Sequence, residues 1–430
     1  MTTTTTSAQD APAEKLSWRI PAVDGTRALA MLMIFTYHMW EFGGSPSRNV
    51  SVAGYQLNPF GIFQRFPAGV DLFMVLSGFC LFLPVCKSPA ALERWDWKSY
   101  AIRRVRRIVP PYYAAMVYVT VVPVVLVALF HLLHLQANWQ PTPGAWQFFT
   151  HLFFIHTLFK HTWDGVNGSF WSLGLEAQFY LVFPLVILGF RRFNIRMIGI
   201  MIGLSLLYRV VVGLATVHGD FATQFLPSIF FLGRWMQFAL GMAAALVVAK
   251  HWKLQDWRSA RWGTGLIAVC LGLYVIAVSD MPQLFIIFPV RDLLLALAFA
   301  GFIIAVCISG TPIRLLVTNR AATGLGFISY SIFLIHQPTA WYISELLKKK
   351  AHVGGIADFM LLCTVGLAII VGVAYLFFSL FERPFLTSGP KMGRLMPYRP
   401  GSLRYRVEKV FERGSLAAEG AGGESGSVLR

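Results

Sequence analysis

The chain has 430 residues, 56% of them hydrophobic and only 13% charged, about half the charged fraction of an ordinary soluble domain. That balance excludes a soluble globular protein, and repeated apolar runs of about 20 residues make it a multi-pass membrane protein. The net charge of +17 is scattered between the runs and forms no continuous basic domain, so no nucleic-acid partner is expected.

In chain order, residues 1–20 begin with "MTTTTTSAQDAPAEK", a polar stretch expected to be disordered. It lacks the basic start and short apolar core of a cleaved signal peptide, so the first span is also the expected targeting signal. An all-α polytopic fold of about ten transmembrane helices follows, in a membrane domain covering 21–385. The spans are expected at 22–42, 68–86, 111–134, 170–190, 196–216, 226–249, 263–279, 290–309, 325–346 and 357–381. The shorter apolar patch "WQFFTHLFFIHTLF" (146–159) reads as an interfacial or re-entrant helix.

Lys and Arg set the expected orientation. A cytoplasmic N-terminus puts "KSPAALERWDWKSYAIRRVRR" (87–107) in the cytoplasm, with Arg191, Arg192, Arg196, Lys250, Lys253, Arg258 and Arg261. The opposite loops hold Arg48, Arg65, Lys160 and Arg291, and Lys348, Lys349 and Lys350 dissent by facing outward. The C-terminus then returns to the cytoplasm. The tail, 386–430, is basic and weakly amphipathic before it turns flexible, and it suits the lipid of the inner leaflet. Five cysteines in apolar surroundings, odd in number and without a CxxC pair, argue against a disulfide framework. No repeat strong enough for two homologous halves is visible, which disfavours many transporter folds.

Ionisable groups inside spans are costly and need a partner, a water cavity or a function. Arg27 and His38 stand eleven residues apart in "TRALAMLMIFTYHMW", close to three helical turns and about 16 Å along one face. One groove can bind an anion at Arg27 and do chemistry at His38; alternatively Arg27 snorkels to head groups and His38 packs. In "GVDLFMVLSGF" (69–79), Asp71 is either an interfacial acid or the partner of a cation on a neighbouring span, such as a protonated histidine, while Ser77 and Gly78 lie deeper. Gly78 permits close helix approach.

Further along, "RRVRRIVPPYY" (103–113) carries Arg104 and Arg107, three apart and on one face if helical. They suit a phosphate-bearing ligand, or serve as a positive-inside anchor. In "NGSFWSLGLEAQFYLVFPLV" (167–186), Trp171 and Tyr180 are candidate belt residues. Glu176 lies near the depth of His38, where the two can share a proton; the plainer reading is a Glu–Arg or Glu–Tyr contact. Arg234 sits mid-span as an available counter-ion, and His336 is a second buried imidazole, catalytic or structural. His151, His156 and His161 are spaced by five, not by the four that aligns ligands on a helix, so no metal site is expected. His131 and His134 have no evident partner.

Together these segments, from about Pro21 to Phe385, resemble the acyltransferase-3 family of multi-pass membrane acyltransferases. The marks are Arg27 and His38 in "DGTRALAMLMIFTYH", then "GVDLFMVLSGF", then Arg104, Arg107, Ile108 and Pro110. "WSLGLEAQFYLVFP", "SYSIFLIH" and "FERPF" follow in the family's order. The resemblance implies acyl transfer from a cytoplasmic coenzyme A thioester, acetyl-CoA in the first instance, to a hydroxyl of a sugar, glycolipid or small molecule. It implies a cell-membrane location and no permanently bound cofactor. Some members carry a fused extracytoplasmic hydrolase-like domain. This sequence ends soon after the last span, so transfer is expected to be complete within the membrane unit or to involve another protein.

On this reading Arg27, Arg104 and Arg107 hold the donor phosphates. His38 is the general base, and Glu176 orients or charges it, with Asp71 in the same catalytic group. Arg234 stabilises an oxyanion or holds Glu176, and Ser77, Trp171, Tyr330 and His336 complete the substrate side. A transporter or flippase would use the same buried charges as a substrate path. Oligomeric state is not legible in the sequence.

Overall fold

The computed structural model describes residues 20–52, 55–86, 92–93, 95–132, 143–251, 257–279, 289–350 and 352–386. The expected tails at 1–19 and 387–430, together with His134 and Lys253, lie outside the described residues.

The fold is all-α and polytopic. Its helices are α1 (Pro21–Phe42), α2 (Ala68–Cys86), α3 (Trp97–Leu132), α4 (Ala145–Leu152), α5 (Trp171–Phe193) and α6 (Arg196–Thr216). They continue with α7 (Phe231–His251), α8 (Trp257–Val278), α9 (Val290–Ile308), α10 (Ser329–Lys350) and α11 (Gly355–Phe385). Helix α11 passes through π geometry at Leu362–Gly366 and again at Phe378–Glu382. A two-stranded antiparallel ladder, Val50 opposite Leu57, precedes α2. Each of the ten expected spans corresponds to one of these helices.

Among the described residues, 8 helices are long and apolar enough to cross a membrane. The two expected spans that fall short are α1 and α10, although each has 22 residues. Their polar residues lower the mean hydropathy: Asp24, Arg27, His38 and Glu41 on α1, and Ser331, His336, Gln337 and Lys348 on α10. Both helices sit inside the bundle, with α1 packed against α2, α9 and α10. A helix sheltered from lipid tolerates polar groups that a lipid-facing helix excludes.

Several boundaries differ from expectation, two of them by an identifiable local cause. Helix α3 begins at Trp97 and runs through Pro110 and Pro111, so Arg104 and Arg107 lie on a continuous helix. Helix α7 begins at Phe231, because Leu226–Ile229 forms a 3-10 turn that starts with Pro227 at its second position. The patch at 146–159 forms the 8-residue α4 and a short 3-10 turn, with Trp146, Phe149 and Phe153 exposed and Thr150, His151 and His156 buried.

Glycine decides how closely α2 and α7 pack. A Cβ on Gly78 would stand 2.0 Å from the Phe238 carbonyl oxygen, and one on Gly241 2.0 Å from that of Val75. The two backbones meet through reciprocal glycines, the small-residue packing expected of Gly78. None of the five cysteines is joined in a disulfide.

Candidate active site

Helices α1, α2, α3, α5 and α10 converge on a partly open cavity; about 840 Å³ of atom-free space lies within its bounds, open solvent included. It is lined by Arg27, Ser77, Arg104, Arg107, Glu176 and Tyr330, six residues drawn from five separate stretches of sequence. Arg104 and Arg107 reach it together because they are one turn apart on α3. Three guanidinium groups against one carboxylate leave the cavity net positive, the electrostatics of an anion site.

Three of the four charged groups there have close neighbours among the described residues. The Arg27 Nη2 lies 3.4 Å from the Cys80 Sγ, and its Nη1 4.0 Å from the Asp24 carboxylate one turn earlier. The Arg104 guanidinium stands 5.6 Å from the centre of the Tyr180 ring and 5.9 Å from that of Tyr100, within cation–π range of both. The Tyr180 hydroxyl donates to Glu176. This i, i+4 contact is the plainer of the two expectations for Glu176.

His38 has a different carboxylate. Its Nδ1 is 2.9 Å from the Glu41 Oε2, and the Tyr37 hydroxyl donates to the other Glu41 oxygen at 2.7 Å. A carboxylate only accepts, so the neutral imidazole donates from Nδ1 and keeps its lone pair on Nε2. That is the arrangement of a base oriented by an acid. Glu41 is the functional candidate that sequence reasoning passed over; its signal was the i, i+3 step in "HMWE", which places both side chains on one helix face.

The second imidazole lies beside the first. The His38 and His336 ring centres are 5.3 Å apart. The His336 Nδ1 donates to the Phe333 carbonyl at 2.8 Å, which leaves its Nε2 with the lone pair. That Nε2 is buried and has no hydrogen-bond partner among the described residues. Phe333, which lines the arginine cavity, has its ring centre 5.6 Å from that of His336. Behind the cavity, Ser331 of "SYSIFLIH" donates to Glu382 of "FERPF" at 2.5 Å, which ties the two late segments together.

Asp71 and Arg234 belong to another assembly. Arg234 donates from Nη1 to Asp71, from Nε to the Ser228 carbonyl at 3.0 Å, and Gln237 adds a second donor to Asp71 at 2.6 Å. Asp71 therefore pairs with an arginine and not with a histidine, and Arg234 holds Asp71 and not Glu176. Arg209 of α6 pairs with Asp292 of α9 at 2.9 Å, so buried ion pairs join α2 to α7 and α6 to α9. Neither Asp71 nor Arg234 lines the cavity. Trp171 also lies off it, with its ring edge-on to Phe225 at 5.2 Å.

His151 and His156 stack face to face, 3.9 Å apart at 8°. His151 donates from Nδ1 to the Gln147 carbonyl and His156 from Nε2 to the Phe170 carbonyl. Burial pushes the His151 pKa down to about 4; burial first, and then its neighbour's charge, pushes that of His156 to about 3. No group of three or more metal-ligating side chains occurs among the described residues.

A family profile described as an acyltransferase domain matches residues 20–378. The chain is 26% identical to YrhL of Bacillus subtilis, a protein provisionally named a peptidoglycan O-acetyltransferase, over 91% of this chain and 58% of YrhL. It is 27% identical to the peptidoglycan O-acetyltransferase OatA of Listeria monocytogenes, over 74% of this chain and 49% of OatA. It is 24% identical to ORF330 of Acidianus two-tailed virus, provisionally named an acetyltransferase, over 74% of this chain and 82% of that protein. The chain thus spans about half the length of the two bacterial relatives. No solved structure matches it.

Proposed function

This chain belongs to the acyltransferase domain family, and from that premise we propose a membrane O-acyltransferase that moves an acyl group, acetyl in the first instance, from coenzyme A to a hydroxyl of a sugar, glycolipid or similar acceptor. The observation that carries the reading is the placement of two functions on one helix. Arg27 stands in an arginine-lined cavity, and His38, oriented by Glu41, lies about 16 Å further along α1. An extended pantetheine arm covers a distance of that order. The two bacterial relatives, both named for O-acetylation, support the acyl group and a sugar-type acceptor.

In this mechanism Arg27, Arg104 and Arg107 bind the nucleotide phosphates, for which the guanidinium fork is suited. This reading places the arginine side of the bundle toward the cytoplasm, where acyl-CoA is found. An acceptor hydroxyl has a pKa far too high to ionise alone, so His38 Nε2 removes its proton as the oxygen attacks the thioester carbonyl. The C–S bond breaks, and the thiolate leaves with the proton returned by the imidazolium. Glu41 keeps the base in the right tautomer and stabilises the imidazolium.

Purified protein in lipid nanodiscs, given radiolabelled acetyl-CoA and an acceptor extract, tests the reading. The expected result is labelled acceptor together with free CoA, lost in His38→Ala. Saturable acceptor movement across a membrane with no acyl transfer would identify a transporter and overturn it.

A further inference from the structure

A second, partly open cavity, with about 950 Å³ of atom-free space within its bounds, open solvent included, is lined by residues one level beyond the imidazole pair on α1 and α10. We propose that this cavity is the acceptor site, and that it takes a neutral or amine-bearing glycoside in preference to an anionic one. The proposal rests on the acyltransferase reading above and names the substrate class of its acceptor half.

Three helices line both cavities at successive levels. On α1, Arg27 faces the first cavity and Phe42 the second, with His38 between them. The Phe42 ring stacks against His38 at 6.4 Å. On α10, Phe333 faces the first cavity and Gln337 and Trp341 the second, with His336 between them. On α3, Ile108 faces the first and Val119 the second, about 16 Å apart along the axis. The loop before α5 closes the second cavity: the Asn167 amide donates to the Leu334 carbonyl of α10 at 3.3 Å. His38 and His336 line neither cavity; they stand on α1 and α10 between the levels of the two, the acyl group being delivered from the arginine side.

The lining selects a chemistry. The Gln337 Oε1 is buried and has no partner among the described residues, an acceptor that a ligand hydroxyl would satisfy. Trp341 supplies a broad apolar surface for the C–H face of a sugar ring. Asp164 is the only charged side chain among the described lining residues. An anionic sugar would meet a like charge there, whereas the first cavity carries three arginines. The two cavities thus differ in sign, which keeps donor phosphates and acceptor in their own halves.

The test measures equilibrium binding to the full chain in nanodiscs with three probes that share a ring: p-nitrophenyl β-glucoside, the corresponding glucosaminide and the corresponding glucuronide. Acetyl-CoA binding is measured in parallel, and each variant is first checked for a monodisperse, membrane-inserted state. The expected result is saturable binding of the first two probes and at least tenfold weaker binding of the glucuronide. Trp341→Ala, and separately Val119→Trp to fill the space, weaken glucoside binding at least tenfold and acetyl-CoA binding less than twofold. Asp164→Lys narrows or reverses the discrimination against glucuronide. Glucuronide binding as tight as glucoside binding, or glucoside binding unchanged in both cavity variants, overturns the proposal. Glycoside binding that obeys these rules without any acyl transfer upholds the cavity and sinks the enzymatic reading, so the two failures are distinguishable.

Discussion

The carboxylate that serves His38 is Glu41, one turn away on the same helix, with 2.9 Å between the Nδ1 and the Oε2. The pair is local and needs no other helix to align it. What the bundle supplies is its surroundings: His336 at 5.3 Å between ring centres, and the two cavities above and below.

Glu41→Gln keeps the shape but removes the charge and replaces one of the two accepting oxygens with an N–H donor, so the His38 tautomer is no longer fixed. The expected outcome is a kcat about a hundredfold lower with substrate KM values little changed, since positioned general-base catalysis contributes on the order of 10²–10⁴-fold. Steady-state kinetics with acetyl-CoA checks it. Glu176→Gln, which changes the contact with Tyr180 and the charge of the first cavity, is expected to leave the His38 tautomer intact, so an equal kcat loss there with unchanged acetyl-CoA KM would return the orienting role to Glu176.

Arg104→Ala combined with Arg107→Ala removes two of the three guanidinium groups in the first cavity. Charge-assisted hydrogen bonds are worth about 1.5–3 kcal/mol each, so the acetyl-CoA KM should rise at least tenfold, while the acceptor KM stays within twofold. Equal effects on both substrates would mark these residues as a membrane anchor.

Asp71 and Arg234 are a stability pair. Either single truncation strands a buried charge and is expected to cost about 3–5 kcal/mol. Thermal unfolding in detergent, followed by size-exclusion chromatography, reads it. Asp71→Leu with Arg234→Met should recover most of the loss and retain turnover. A double variant that is stable but inactive would put the pair back into the chemistry.

The stacked His151 and His156 make stability depend on pH. Their pKa values in the folded protein, about 4 and about 3, lie below the unfolded reference of about 6.5. Between those limits the unfolded chain binds more protons, so stability is fully present above about pH 6.5 and falls as the pH drops toward about 4. Melting temperatures across that window should decline in the wild type and decline less in His156→Asn. Parallel curves would show that the histidines do not set the dependence.

Hydropathy is a sum over neighbours along the chain, and with helical patterning it made the ten expected spans legible from residue order, along with the polar groups interrupting α1 and α10. It also separated Arg27 from His38 by three turns, because helical rise and pitch are constants of the backbone. Depth along a helix axis, however, says nothing about azimuth or about which neighbour faces which. Glu176 and His38 were placed at comparable depth, yet Glu176 turns to Tyr180 on its own helix and His38 to Glu41 on its own. Asp71 found Arg234 because Gly78 and Gly241 let α2 and α7 come into backbone contact, an approach that exists only after packing. The sequence by itself determined that this is an all-α membrane protein with costly charges at particular levels. Only the tertiary structure decided which charges neutralise one another and which remain facing a cavity, because burial makes each of them take the partner that three-dimensional packing leaves within reach.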